Sequence, residues 1–297
     1  MKALDLQING ALGLSFNDLH PGCEDKLAQV CEFLATQGLQ GFLATLVTTD
    51  LAAIQRSLAV LARFQQQAHG GAQLLGVHLE GPFLHPAKRG AHPAAHLLPL
   101  TLNHLKRVLG DFTPLVKLVT LAPELDPTGA AIAYLRDRNI IVSAGHSQAT
   151  AAEARCAFAQ GVTAITHAFN AMPPLHHREP GLLGAALLDE RIWCMAIADG
   201  VHVCPDMLRL LYRLKGDRLI IASDALAPFG LPDGEYPWDD RPIRVTQGTA
   251  RLPDGTLAGT TVGLPQAVQN LVNWNVCTPA QAIAAVTAAP QTLLREI

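Results

Sequence analysis

Apolar residues in this chain fall in continuous runs rather than in strict alternation, and polar, chemically specific side chains gather where those runs stop. Eight runs stand out, at residues 3–8, 41–47, 74–80, 115–124, 140–147, 162–170, 193–200 and 219–225. Unbroken apolar runs of this kind read as parallel strands covered on both faces. Between them lie Ala-, Leu- and Gln-rich stretches, including residues 26–36, "LAAIQRSLAVLARFQQQA" and "ATAAEARCAFAQ". The last opens on Thr150 with Glu153 three residues on, the pattern of a capping box. The stretch "LPDGEYPWDDRPIRVTQGTARLPDGTLAG" carries two PDG turn signals and predicts a β-hairpin excursion, a connection or a cover over a site.

Eight strand–helix units predict a (β/α)8 TIM-type barrel, a fold of typically ~250 residues, formed here by one catalytic domain over residues 1–297. An open doubly wound sheet is the competing arrangement, but no Gly-rich nucleotide fingerprint follows the first run. In a barrel the reacting side chains sit at the C-terminal strand ends. Those ends carry Gln7 and Asn9, Glu80, His146, His167, Asp199 with His202, and Asp224.

Composition narrows the function. Hydrophobic residues make up 49% of 297 and charged residues 16%, which suits a globular chain with a sizeable core. A net charge of −3 argues against nucleic-acid binding. No stretch is apolar enough to span a membrane, and no secretion signal opens the chain. The six cysteines form no CxxC pair, so a reduced, cytoplasmic setting is expected.

Glu80, His146 and His167 make a carboxylate and two imidazoles from three different strands, a set that suits catalytic zinc and equally Fe(II). Taken singly, each histidine reads as well as a hydrogen-bonded core group. Asp224 suits a proton carrier, or, more blandly, a helix cap. Arg178, within "HHREPG", can grip a phosphate bidentately, or lie in a surface turn. His92 and His202 can donate hydrogen bonds to a polar substrate.

In order along the chain, "DLQING", "GVHLEGPFL", "KRGAHP", "SAGHSQAT", "THAFNAMPPLHHREPG", "IADGVHV", "SDALAPFGLPDGEY" and "LAGTTVGLPQAVQNLV" closely resemble the N-acetylglucosamine-6-phosphate deacetylases of the amidohydrolase superfamily. The resemblance implies hydrolysis of the N-acetyl amide of N-acetyl-D-glucosamine 6-phosphate to acetate and D-glucosamine 6-phosphate. It places the ligands of a single metal on Glu80, His146 and His167, the catalytic aspartate on Asp224, and a carbonyl-polarising histidine on His92. Substrate contacts fall on Ala91, Asn170, Ala171, Arg178 and His202, with Leu257, Ala258 and Gly259 as a last wall. The "HHREPG" segment is implied to reach a neighbouring subunit's site, hence a homodimer. Gln7 and Asn9 stand where many amidohydrolases carry His-x-His for a second metal, and an amide is a poor zinc ligand, so one metal ion is expected. The family's accessory β-sandwich, built from flanking terminal segments, is expected to be largely absent here. Two other readings are the N-acetylgalactosamine 6-phosphate epimer as substrate and a shortened, non-catalytic sugar-phosphate-binding paralogue.

Overall fold

The computed structural model describes residues 2–67 and 69–296. All eight expected strands form: β1 (Ala3–Ile8), β2 (Leu39–Val47), β3 (Gln73–Glu80), β4 (Val116–Leu121), β5 (Ile141–Ala144), β6 (Ala164–Ile165), β7 (Trp193–Ala196) and β8 (Leu219–Ile221). They pair in chain order, each neighbour parallel. The ring closes at its C-terminal rim, where Asp224 N donates to Gln7 O at 2.9 Å and Asn9 N to Ala225 O at 2.7 Å. This is a (β/α)8 barrel.

Helices α1 (Glu24–Thr36), α2 (Leu51–Gln65), α3 (Leu102–Leu109), α4 (Ala130–Arg136), α5 (Ala151–Gln160), α6 (Gly181–Leu188), α7 (Pro205–Lys215) and α8 (Leu264–Asn273) alternate with the strands. The capping box at Thr150 and Glu153 forms, and Asp50 accepts from Ala53 N at the start of α2. Each cap satisfies backbone N–H groups that a helix start leaves bare. Val30, Leu34, Leu58, Leu61, Val108, Ile132 and Leu135 pack the helices against the outside of the sheet.

Inside the barrel, Leu6, Leu43, Leu118, Ile141, Met195 and Ile220 form a second cluster, joined by Ala289 and Leu293 from the helix Ala288–Arg295. Further along the strands the buried positions turn polar. Thr45 Oγ1 and Thr120 Oγ1 flank His78 at 3.1 and 2.8 Å, and Thr120, Thr166 and Ser143 continue the hydroxyl chain at 2.7 and 2.6 Å. Paired polar groups are tolerated in a core where lone ones are not.

Two expectations need correcting. The expected runs at 115–124, 140–147, 162–170, 193–200 and 219–225 overreach, because the chain leaves the sheet before its polar residues; β6 keeps only two residues. In three of these runs the polar residue itself leaves the strand conformation: His146, His167 and Asp224 sit at φ +49°, +30° and +48°, a left-handed backbone that no strand can hold. The excursion after β8 is not one hairpin but a four-stranded antiparallel sheet, β9 (Gly234–Pro237), β10 (Pro242–Thr246), β11 (Thr249–Arg251) and β12 (Leu257–Thr260). Ile243 and Val245 alternate with exposed neighbours along β10 and pack with Ala250, Leu252, Leu226 and Ala91, so the sheet has one apolar face and leans on the barrel rim. No helix among the described residues is long and apolar enough to cross a membrane.

Candidate active site

Three strands deliver three side chains to one point. Glu80 is the last residue of β3, while His146 and His167 follow β5 and β6 in their strained conformations. Gly145 makes the approach feasible, since a Cβ there would lie 2.9 Å from both Thr120 and Thr166 side chains. His167 Nε2 stands 2.9 Å from Glu80 Oε1, His146 Nε2 3.3 Å from the same oxygen, and the two Nε2 atoms 3.0 Å from each other. All three side chains are buried.

These separations fit a shared cation. Ligand atoms on a tetrahedral ion with bonds near 2.1 Å stand about 3.4 Å apart. The tautomers agree. His146 Nδ1 lies 2.8 Å from Lys88 O, and a carbonyl only accepts, so Nδ1 carries the proton and the Nε2 lone pair faces the centre. His167 Nδ1 is buried and has no hydrogen-bond partner among the described residues. Glu80, His92 and His146 also offer ligand atoms within 4.8 Å of one another. Distance separates the two sets. His92 Nδ1 lies 3.3 Å from Thr48 N and 2.9 Å from Thr48 Oγ1, and its Nε2 lies 4.0 Å from Glu80 Oε2. The shorter separations are those among Glu80, His146 and His167.

On the opposite side stands Asp224. Asn9 Nδ2 donates to its Oδ1 at 2.8 Å, and Gln7 Nε2 bridges the two carboxylates, 3.2 Å from Asp224 Oδ1 and 3.1 Å from Glu80 Oε1. The amides therefore act as donors between acids. The buried oxygens Gln7 Oε1 and Asn9 Oδ1 have no hydrogen-bond partner among the described residues.

Charge is unbalanced at this centre. Burial would raise Glu80, but the imidazoles of His146 and His167 beside it hold it well below the usual carboxylate range. Burial opposes charge on His167, yet the hydrogen bond to Glu80 raises it. Asp224 is pushed up to about 8 by burial and by the Glu80 charge. Burial, then the His146 charge, lowers His92 to about 3. A dense set of buried groups with opposed shifts marks a site rather than a packed core.

Above the centre opens a cavity of about 390 Å³, within the range of small-molecule sites. Ala91, His92, Asn170, Ala171, His202, Leu257 and Ala258 line it with the centre. Gly259 sits behind this wall at φ +149°, where a Cβ would come 2.7 Å from Asp224 O. Arg178 is not in the cavity: it is exposed, its Nη1 2.9 Å from His177 Nε2.

Other residues reach the cavity without a strand-end motif to mark them. Val47, Ile197, Trp238, Arg251 and Thr256 also line the cavity. Trp238 and Arg251 come from the excursion, whose fold the sequence pattern misjudged. Arg241 Nη2 donates to Ala91 O at 2.7 Å and ties that sheet to the loop carrying His92.

Known proteins carry the same chain trace. No protein-family model matches the chain. An N-acetylgalactosamine-6-phosphate deacetylase of Escherichia coli O157:H7 is 36% identical over 291 residues, 98% of this chain and 76% of that protein. An N-acetylglucosamine-6-phosphate deacetylase of Bacillus subtilis is 34% identical over 278 residues, 92% of this chain and 69% of that protein. The chain belongs to the N-acetylglucosamine-6-phosphate deacetylase family. A solved deacetylase of Mycobacterium smegmatis, in complex with N-acetyl-D-glucosamine-6-phosphate, matches 99% of this chain with a TM-score of 0.91 at 31% identity, and this chain covers 77% of it. The deacetylase family resemblance read from the motifs thus holds across the barrel.

Proposed function

We propose that this chain hydrolyses the N-acetyl amide of N-acetyl-D-glucosamine 6-phosphate, giving acetate and D-glucosamine 6-phosphate. The observation that carries the reading is the convergence of Glu80, His146 and His167 opposite Asp224, at the floor of a sugar-sized cavity. Residues 1–297 act as one barrel domain in this reading.

Glu80, His146 and His167 would hold one divalent ion, zinc or Fe(II), whose bound form polarises a carbonyl and acidifies water. The chain's own groups do the rest. His92 Nε2–H donates to the acetyl oxygen, where negative charge grows as water adds to the carbonyl carbon. Asp224, held in place by Asn9 and Gln7, takes the proton that water gives up and passes it to the sugar nitrogen. The C–N bond breaks with that nitrogen protonated, and the carbonyl carbon keeps the water oxygen as acetate. Asn170, Ala171 and His202 hold the sugar phosphate, and 257–259 wall it in. Arg178, turned away from its own pocket, serves the pocket of a second copy, which makes the working form a homodimer. Six free cysteines suit a reduced cytoplasmic setting.

The galactosamine epimer is the second reading, favoured by the E. coli relative that carries that name. Acetate release from each epimer, with metal analysis of the same sample, tests both. Turnover of neither, with metal bound, would leave a sugar-phosphate-binding paralogue.

A further inference from the structure

β7 ends at Ala196, and the chain then makes a turn whose geometry serves one side chain. Asp199 Oδ2 accepts from His202 Nδ1 at 2.6 Å. Its other oxygen accepts from the backbone N–H of Val201 at 2.9 Å and of His202 at 2.8 Å. The two side chains are 2% and 5% exposed, so this carboxylate is withdrawn from water yet fully partnered. The turn itself is anchored. Asn270 Nδ2 donates to Ala198 O at 2.9 Å, and Gly200, at φ +81°, lets Trp274 pack so close that a Cβ would meet its ring at 3.0 Å. Asp199 does not line the cavity, whereas His202 does.

We propose that Asp199 is a positioning residue for substrate binding: it fixes the His202 ring so that Nε2 faces the cavity and meets the anionic phosphate of the sugar. The inference rests on the deacetylase reading of this pocket and adds a residue to it. A carboxylate on Nδ1 makes that nitrogen the donor and settles which edge of the ring is left for a ligand. The ring then lies between the carboxylate behind and the phosphate in front. Three hydrogen bonds from one short turn hold the acid against the pull of the phosphate. An Asn at 199 would offer its NH2 to Nδ1, turn that nitrogen into an acceptor and remove the negative charge behind the ring.

The test is a double-mutant cycle on the full chain with Asp199→Asn, His202→Asn and both together. Each is read by KM and kcat on N-acetylglucosamine 6-phosphate and by calorimetric binding of glucosamine 6-phosphate. Each single variant is expected to raise KM ~10-fold or more and to weaken calorimetric binding alike, with a smaller loss on unphosphorylated N-acetylglucosamine. The double variant is expected to match His202→Asn alone. Losses that multiply in the double variant, or an Asp199→Asn protein that binds like the parent, overturn the proposal. So does a His202→Asn protein with unchanged binding. Should Asp199→Asn not fold, Asp199→Ser keeps an acceptor for the two N–H groups and removes the partner of Nδ1. A parent that binds glucosamine 6-phosphate but releases no acetate defeats the deacetylase reading, and the binding arms still decide on Asp199.

Discussion

Asn9 Nδ2 donates to Asp224 Oδ1 at 2.8 Å, from the residue that follows β1. With Gln7 bridging Asp224 and Glu80, the first strand supplies hydrogen-bond donors where a metal pair would need lone pairs. The two amides thereby hold the Asp224 carboxylate in place.

Asp224 therefore tests the proton path. Asp224→Asn keeps the shape and still accepts from Asn9, but cannot carry a proton. Turnover is expected to fall by a factor of ~100 or more while metal content and glucosamine 6-phosphate binding persist. Activity within a few-fold of the parent would hand the proton to another group, and loss of metal would make Asp224 chiefly a ligand.

The two candidate ligand sets around Glu80 separate by metal analysis. His167→Gln is expected to strip most of the ion, because it removes a lone pair from the centre. His92→Gln is expected to keep it and lose turnover, since its Nε2 stands off at 4.0 Å from Glu80 Oε2. The reverse pattern would give the ion to Glu80, His92 and His146.

Arg178 lies outside its own cavity, so its effect should appear between copies. Arg178→Ala is expected to weaken use of the phosphorylated sugar by about 10-fold or more, with little change on the unphosphorylated one. Mixing Arg178→Ala with Asp224→Asn and allowing subunits to exchange should restore turnover above either alone, because one pocket of a mixed dimer then has both groups. An unphosphorylated sugar losing just as much would refute the phosphate role.

Asp5 gives a stability prediction at the same end of β1. Burial lifts it from 3.8 to about 6, although Gln7 N and Ser223 N each donate to its Oδ1 at 3.2 Å. The folded chain then holds a proton that the unfolded chain has released, so stability falls as pH rises from about 4 to about 6. The cost is complete above that window, and amounts to ~3 kcal/mol at most. Asp5→Asn keeps the acceptor and removes the charge, so it should melt higher than the parent at pH 7.5 and lose that advantage toward pH 4. An advantage independent of pH would mean that the charge is not what destabilises.

The sequence by itself determined the barrel, because a parallel strand covered on both faces must be apolar throughout, and that demand writes eight readable runs. It also determined which residue types stand at the strand ends, and so the kind of chemistry to expect: Glu80, His146, His167 and Asp224 are visible as polar stops after apolar runs. Their convergence was left to the tertiary structure. His146 and His167 reach Glu80 through left-handed backbone that hydrophobic pattern does not encode, since such φ values are held by the surrounding fold and not by local preference. The proton position on His146 follows from Lys88, a partner 58 residues away in the chain. Trp238 and Arg251 enter the cavity on a sheet whose alternation is short and whose turns look alike in sequence, so only its packing on Leu226 and Ala91 shows where it lies. Asp199 is a strand-end acid like the others until the fold shows it behind His202 instead of in the pocket, a distinction of direction that one-dimensional pattern cannot carry.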